Sequence, residues 1–79
     1  MHIELKRHSR DHLSKQIAQT MSDRIRSGLL QPGMKLPSVR ALAGQLNVSL
    51  VTVAKGYAEL ERQGLIYCIQ GKGCFVGPE

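Results

Sequence analysis

The sequence predicts a mainly α-helical domain that ends in a small β-hairpin. Apolar residues recur at helical spacing in three successive segments before Gly64. After Gly64 the pattern changes to two short apolar runs, LIYCI and CFV, separated by QGKG, which is typical of a hairpin with a glycine-rich tip. Because a chain of 79 residues has room for one small domain, these elements must share a single core.

The first predicted helix carries one apolar stripe whose members are four residues apart: Leu13, Ile17, Met21 and Ile25. We expect this helix to run from about residue 12 to residue 27, with Asp11 as its N-cap and Gly28 in the left-handed position after its end. Residues 1–10, MHIELKRHSR, are short, polar and basic. They are interpreted as an N-terminal arm whose Lys6, Arg7 and Arg10 either reach phosphates or stay solvated, and the domain proper is placed at residues 11–79.

Two further helices follow a loop, LLQPGMKLP, whose prolines and glycine exclude helix. Ser38 is predicted to cap a short helix that ends at Asn47, a residue that tolerates the left-handed conformation. Ser49 is predicted to cap the third helix, from about residue 50 to residue 63. Gly56 inside that helix indicates a close approach to a neighbouring helix, and Tyr57 is expected in the core with its hydroxyl bonded outward.

The order of these elements defines the architecture. The second and third helices are separated by a turn of about three residues, which is the helix-turn-helix spacing, with one helix before the pair and a hairpin directly after it. We therefore expect a winged helix-turn-helix of three helices plus a wing. In that fold the third helix enters the major groove of DNA, and the hairpin tip reaches the flanking backbone or the minor groove.

The two cysteines are predicted to be free thiols in a reducing compartment. A four-residue loop at 70–73 would place Ile69 opposite Cys74 and Cys68 opposite Phe75. Because side chains alternate between the faces of a strand, the cysteines would then point to opposite faces. This register disfavours an intrachain disulfide, and the spacing of the pair does not match a zinc site.

Charge favours a polyanionic partner. The formal net charge is +5, and the sequence pI is about 9.7. Residues 24–58 contain no acidic residue but hold five basic ones: Arg24, Arg26, Lys35, Arg40 and Lys55. No apolar run is long enough for a membrane span, and no set of nucleophile, base and orienting group is present, so we expect a cytoplasmic protein that is not an enzyme.

The run LLQPGMKLPSVRALAGQLNVSLVTVAKGYAELERQGLIYCIQGKGCFV resembles the DNA-binding domain of the GntR family of bacterial transcription regulators. The family pattern is PGxxLPSxRxLAxxLxVSxxTVxxAYxxLxxxGxIxxxxGxGxFV, and the resemblance covers about residues 12–76. It implies a double-stranded DNA operator as partner, and a C-terminal domain beyond Glu79 that binds an effector and forms a homodimer. Two branches fit, YtrA with a short helical tail and MocR with a pyridoxal phosphate domain, and MocR is preferred. No cofactor is expected in this chain.

Ten residues are predicted to contact DNA: Lys35, Ser38, Arg40, Ser49, Leu50, Val51, Thr52, Lys55, Gly71 and Lys72. Arg40 matches the arginine of the family's PSxR segment, which contacts DNA in the family, and Gly71 and Lys72 match its GxG wing. Many members carry an arginine directly after the serine of VSxxTV, where this chain has Leu50. Neither Leu50 nor Val51 can donate a hydrogen bond from its side chain. The hypothesis is therefore that one of them packs on the methyl group of a thymine. The alternative is that Leu50 closes the core over the turn between the helices.

Two other classes of function are considered. A winged-helix module that binds proteins would share the core but would need no basic recognition helix. A small nucleotide-binding enzyme would need a helix after GKGCFVG, where none is predicted. For the DNA-binding domain, about five phosphate contacts would give a log-log salt slope of roughly −4 to −5.

Overall fold

The computed structural model describes residues 1–9 and 11–78. Along the chain the elements are α1 (Leu13–Arg26), α2 (Val39–Leu46), α3 (Leu50–Arg62), β1 (Ile66–Ile69) and β2 (Gly73–Val76). The two strands pair antiparallel, so the predicted three helices and wing are confirmed. None of the helices in these two ranges is long and apolar enough to cross a membrane.

The ends of α2 and α3 are set by local side-chain chemistry, as predicted. Ser38 Oγ accepts a hydrogen bond from the Ala41 amide at 3.0 Å, and Ser49 Oγ accepts one from the Thr52 amide at 3.1 Å. Asn47 ends α2 in the left-handed region, with φ of 55°. These residues make the tight turn that joins the two helices.

The predicted cap of α1 is wrong. His12, not Asp11, is the N-cap, and its side chain makes no capping hydrogen bond. Asp11 stands one position too early for its carboxylate to reach the free amides of the first turn, and it pairs instead with Lys15 at 3.5 Å. Gln16 secures this end of α1, because its side-chain amide donates to the carbonyl oxygens of Lys6 and Asp11, each at 2.9 Å.

The core lies where the three helices meet the wing. Its largest fully buried side chains come from all four parts: Ile17, Met21, Leu42, Val53, Leu60 and Val76. Helices α1 and α3 approach closely at Gly56, where a Cβ atom would lie 3.2 Å from the Ser14 carbonyl oxygen and 3.3 Å from Ile17 Cγ2. The predicted close approach at Gly56 is confirmed, and α1 is the partner helix.

The first nine residues pack on the helices. Ile3 is buried in the core, and the amino group of Met1 donates to Gln45 Oε1 at 2.6 Å. Arg7 Nη2 donates to the Leu46 carbonyl oxygen at 2.6 Å, so this guanidinium covers the end of α2 although the residue is exposed. The predicted role of Arg10 and the domain boundary beside it lie outside the described residues.

The predicted register of the wing is wrong by one residue. Ile69 pairs with Gly73 and Cys68 with Cys74, so the tip is a three-residue loop closed by a hydrogen bond from the Lys72 amide to the Ile69 carbonyl oxygen at 2.9 Å. A shift of one residue moves a side chain to the other face of a strand. The cysteines therefore share a face and are joined by a disulfide, which overturns the prediction of free thiols on opposite faces.

The loop before α2 also pairs with the wing, which the sequence did not predict. The Leu36 amide donates to the Cys74 carbonyl oxygen at 2.8 Å, and the Val76 amide donates to the Met34 carbonyl oxygen at 2.9 Å. Between these bonds, Lys35 forms a bridge with Phe75. Residues 34–36 thus form a short third edge of the hairpin and hold β2 against the helices.

Candidate nucleic-acid interface

The N-terminal half of α3 presents an exposed surface of small and apolar side chains. Leu50 is 42% exposed and Val51 is 61% exposed, so Leu50 does not close the core over the turn. Ala54 and Ala58 are exposed on the same helix and are small enough to let a partner approach the backbone. The opposite side of α3 is the buried face, formed by Val53, Gly56, Tyr57 and Leu60. A ligand therefore has free access to the first two turns of the helix.

Hydroxyl groups mark the start of α3. Ser49 is exposed and Thr52 is half-buried, and their side-chain oxygens lie 2.9 Å apart in a hydrogen bond. Ser49 Oγ also accepts from the Thr52 amide. The pair is held in place by the helix cap, so the hydroxyls present a fixed orientation to a ligand at this end of α3.

A cleft lies between residues 35–38 and the wing tip, and it brings together four of the predicted residues: Lys35, Ser38, Gly71 and Lys72. Both cysteines line the same cleft, and no acidic side chain does. The side chain of Lys35 passes over Gly73, where a Cβ atom would lie 3.0 Å from Lys35 Cε. Gly73 has φ of 118° and Gly71 has φ of 82°, a region that side chains disfavour, so glycines serve both positions. The result is an open cleft that carries two lysines and no acidic side chain, which suits a phosphate backbone.

Arg40 stands in the first turn of α2, two residues after the Ser38 cap. Its side chain is exposed. Among residues 1–9 and 11–78, no hydrogen bond or ion pair involves the guanidinium of Arg40 or the ammonium groups of Lys35, Lys55 and Lys72. In contrast, Arg7 and Arg24 donate to backbone carbonyl oxygens of the chain itself. The four cations that the sequence assigned to DNA therefore have no side-chain partner in this part of the chain.

Lys55 lies apart from this cleft. It lines a groove between α1 and α3, together with two basic residues of α1, Lys15 and Arg26. Lys15 is not among the ten residues predicted from the sequence, although Lys15 and Arg26 are eleven residues apart, a spacing that places side chains on one face of a helix. The groove extends the basic surface from α3 toward α1.

At the acidic end of α3, Glu59 is paired with neighbouring side chains of the same helix end. Arg62 Nη2 donates to Glu59 Oε2 at 2.6 Å, and Gln63 Nε2 donates to the same oxygen at 2.6 Å. These hydrogen bonds, from Arg62 first and then Gln63, lower the pKa of Glu59 to about 2. Glu59 is therefore charged near neutrality and paired. The free positive charge of α3 lies on Lys55, in the half of the helix that follows the Ser49 cap.

The three helices, the short turn between α2 and α3, and the wing define a winged helix-turn-helix DNA-binding domain. The chain belongs to the GntR family of bacterial regulatory proteins, whose family model matches residues 13–76. The resemblance in the sequence is thereby confirmed over nearly the whole chain.

Individual relatives agree with this assignment. The HTH-type transcriptional repressor YtrA of Bacillus subtilis is 39% identical over 74 residues, which are 94% of this chain and 57% of that protein. YtrA from Sulfolobus acidocaldarius, a GntR-family transcription factor, superposes with a TM-score of 0.90 at 39% identity, covering 98% of this chain and 81% of that one. These relatives are regulators of transcription and not enzymes.

A solved complex shows a related domain on DNA. The DNA-binding domain of AraR in complex with operator ORR3 has a TM-score of 0.81 and 31% identity to this chain, covering 98% of this chain and 93% of that one. This chain spans 57%, 25% and 50% of the length of three curated relatives that it matches.

Proposed function

We propose that this domain binds a specific double-stranded DNA operator and is the DNA-reading part of a bacterial transcription regulator. The N-terminal half of α3 enters the major groove, and the cleft between residues 35–38 and the wing tip holds the flanking phosphate backbone. The observation that carries the proposal is the set of unpaired cations, Lys35, Arg40, Lys55 and Lys72, around an exposed helix start. The AraR DNA-binding domain, which is similar in fold and was solved in complex with an operator, supports DNA as the ligand.

The dimensions and chemistry of α3 suit this role. Its 13 residues make a rod about 20 Å long, and an α-helix fits the major groove of B-DNA. Leu50 and Val51 supply apolar contacts, whereas Ser49 and Thr52 supply hydroxyls for phosphate or base edges. Specificity in this interface therefore comes from shape and methyl contacts more than from a bidentate contact to guanine, which the arginine that many family members carry at the position of Leu50 is able to make.

The rest of the protein completes the mechanism that we propose. A C-terminal region outside these residues would dimerise the protein in the bacterial cytoplasm, so that two copies read two half-sites and an effector changes their spacing. The YtrA relatives support the YtrA branch with its short helical tail, in which no pyridoxal phosphate is required. The reading frame after Glu79 tests this: several tens of helical residues fit YtrA, and several hundred with a Schiff-base lysine fit MocR.

The DNA proposal is tested by selection from a pool of randomised duplexes with the purified chain, followed by titration of the enriched duplex. We expect one enriched sequence, and we expect Arg40→Ala to weaken binding by about tenfold, the cost of one charge-assisted contact. Arg62→Ala is the matched control, because it removes the same charge from a guanidinium already paired with Glu59. Its affinity should stay within about twofold of the wild type.

The competing protein-interaction module predicts a different result. If Arg40→Ala keeps a wild-type circular dichroism spectrum and binds duplex as well as the wild type does, or if no sequence is enriched, the DNA proposal is wrong. Binding that is lost equally in Arg40→Ala and Arg62→Ala would show attraction to net charge alone, and would also count against a specific interface.

A further inference from the structure

The wing contains a covalent link close to the predicted DNA contacts. Cys68 and Cys74 are directly opposed in the β1–β2 register and form a disulfide. The bond closes a loop with a sequence separation of six, which includes Gly71 and Lys72. It therefore ties together the two strand ends from which the tip projects.

The surroundings of the pair favour thiol chemistry when the bond is open. Both cysteines line the cleft that also contains Lys35 and Lys72, and no acidic side chain lines it. Nearby ammonium groups stabilise a thiolate, which is the reactive form of cysteine. Cys68 is exposed, whereas Cys74 is half-buried and packs against the core. This arrangement makes Cys68 the accessible thiolate and Cys74 the resolving partner beside it.

We propose that Cys68 and Cys74 are a reversible oxidation site that regulates how tightly the wing binds DNA. The inference rests on the proposed function, including its cytoplasmic location, where protein disulfides are rare and thiol pairs act mainly in sensing or catalysis. The oxidant is a peroxide, and the reductant that restores the thiols is a cellular dithiol.

Peroxide oxidises the two thiols to the disulfide in two steps. The Cys68 thiolate attacks one oxygen of hydrogen peroxide, the O–O bond breaks, and hydroxide leaves and is protonated to water, which gives a sulfenic acid on Cys68. The Cys74 sulfur then attacks the Cys68 sulfur, and the second oxygen leaves as water. Two thiols lose two electrons and two protons in total, and the peroxide is reduced to two waters. A dithiol reverses the change by thiol–disulfide exchange.

Oxidation restricts the conformations of the wing tip and does not change the rest of the fold. β2 is held from its other side by the bonds from the Leu36 amide to the Cys74 carbonyl oxygen and from the Val76 amide to the Met34 carbonyl oxygen, neither of which needs the disulfide. The tip itself is a three-residue loop on two four-residue strands with glycines at positive φ, so the reduced loop samples many conformations. The disulfide removes that freedom and pre-organises Lys72.

The oxidised chain should therefore bind DNA more tightly than the reduced chain. The gain corresponds to ordering one or two side chains before binding, which is about threefold to tenfold in affinity. The effect should be carried by Lys72, because that cation sits inside the closed loop, and not by Arg40 on α2.

The test compares the fully reduced and the peroxide-oxidised chain on the duplex enriched in the selection described above, or on a generic duplex at low salt if none is enriched. Intact mass and alkylation of free thiols establish the redox state of each sample independently of DNA. Cys68→Ser is the matched control, because its exposed side chain can be replaced without disturbing the core and the variant cannot form the bond. It also reports any effect of methionine oxidation, to which the partly exposed Met34 is open.

We expect peroxide to remove both thiols and to tighten binding by about threefold to tenfold, and a dithiol to reverse the change. The affinity of Cys68→Ser should be the same after both treatments. Equal affinities of verified oxidised and reduced chains would overturn this inference and leave the proposed function intact. Failure of peroxide to form the disulfide, or an equal response in Cys68→Ser, would also overturn it. Absence of duplex binding in both states would overturn the proposed function and this inference together.

Discussion

The phenol of Tyr57 on α3 donates a hydrogen bond of 2.6 Å to the carbonyl oxygen of Pro37, the residue before the Ser38 cap of α2. The ring is buried, so the sequence was right to place Tyr57 in the core. Its hydroxyl is bonded to the loop that leads into α2, which fixes the start of α2 against the middle of α3. The two parts of the proposed interface, the basic cleft and the recognition helix, are held in register by this bond.

Replacement of Tyr57 by phenylalanine should destabilise the domain by about 1 kcal/mol, because the ring still fills the core and only the hydrogen bond is lost. The measurement is the free energy of unfolding from urea titration. Tyr67→Phe is the control, since Tyr67 is 40% exposed, and it should unfold like the wild type. Equal stability of Tyr57→Phe and the wild type would show that the bond to Pro37 contributes nothing.

Tyr57 also predicts how stability responds to alkali. Burial raises the pKa of Tyr57 from 10.0 to about 12. A folded pKa above the unfolded one means that the neutral phenol is favoured by folding. This stabilisation is therefore complete below pH 10 and disappears as the pH rises through about 12. The wild type and Tyr57→Phe differ only in the hydroxyl at this position, so the difference between their unfolding free energies isolates the phenol. That difference should fall as the pH rises through this window, and a constant difference would contradict the assignment.

Two helical glycines should respond oppositely to a larger side chain. A Cβ at Gly44 in α2 meets no atom within 4 Å, so Gly44→Ala should raise the free energy of unfolding by about 0.5–1 kcal/mol, the difference in helix propensity. At Gly56, a Cβ would already lie 3.2 Å from a backbone oxygen of α1, so Gly56→Val should lower it by about 1–3 kcal/mol through overpacking. Thermal unfolding of both variants and the wild type measures these changes in stability. A Gly56→Val variant more stable than the wild type would mean that α1 and α3 separate easily.

These results show which features a single sequence can predict. Ser38, Ser49 and Asn47 set the ends of α2 and α3 through contacts within a few residues, so their pattern was sufficient. The wing register depends on where a short tip closes, and moving that point by one residue changed the cysteines from separated thiols into a bonded pair. The contact from Arg7 to Leu46 spans 39 residues, a distance at which no local pattern gives a signal.

In the candidate site, too, the features that depend on local sequence were predictable and those that depend on long-range packing were not. The chemical types that the sequence selected, hydroxyls at helix starts and unpaired cations, do lie on the surface. Their grouping was not predictable: Lys35 joins Lys72 only because residues 34–36 pair with β2, and Lys55 instead joins the α1–α3 groove. Such groupings follow from long-range strand and helix packing.

Salt dependence should report the number of unpaired cations that meet phosphate. Lys35, Arg40, Lys55 and Lys72 are four contacts, each of which contributes about −0.9 to the log-log slope, giving about −3.6. This is one contact fewer than the roughly five expected from the sequence. Lys72→Ala should make the slope shallower by about 1. Arg62→Ala is the control, because its guanidinium is already paired with Glu59, and it should leave the slope within error. A slope near zero for the wild type would exclude phosphate contacts.

Base preference tests the two apolar residues at the start of α3. If Leu50 or Val51 packs on a thymine methyl, replacing that thymine by uracil in the enriched duplex removes one buried methyl group. The loss is about 0.8 kcal/mol, or about fourfold in affinity. Leu50→Ala and Val51→Ala are then tested on both duplexes, because the residue that makes the contact should lose this discrimination while the other keeps it. Anisotropy titrations of the wild type and each variant on the thymine and uracil duplexes measure the coupling energy between the side chain and the methyl group. Wild-type binding that is insensitive to uracil at every thymine of the enriched site would show that neither side chain reads a methyl group, and that their exposure on α3 serves shape alone.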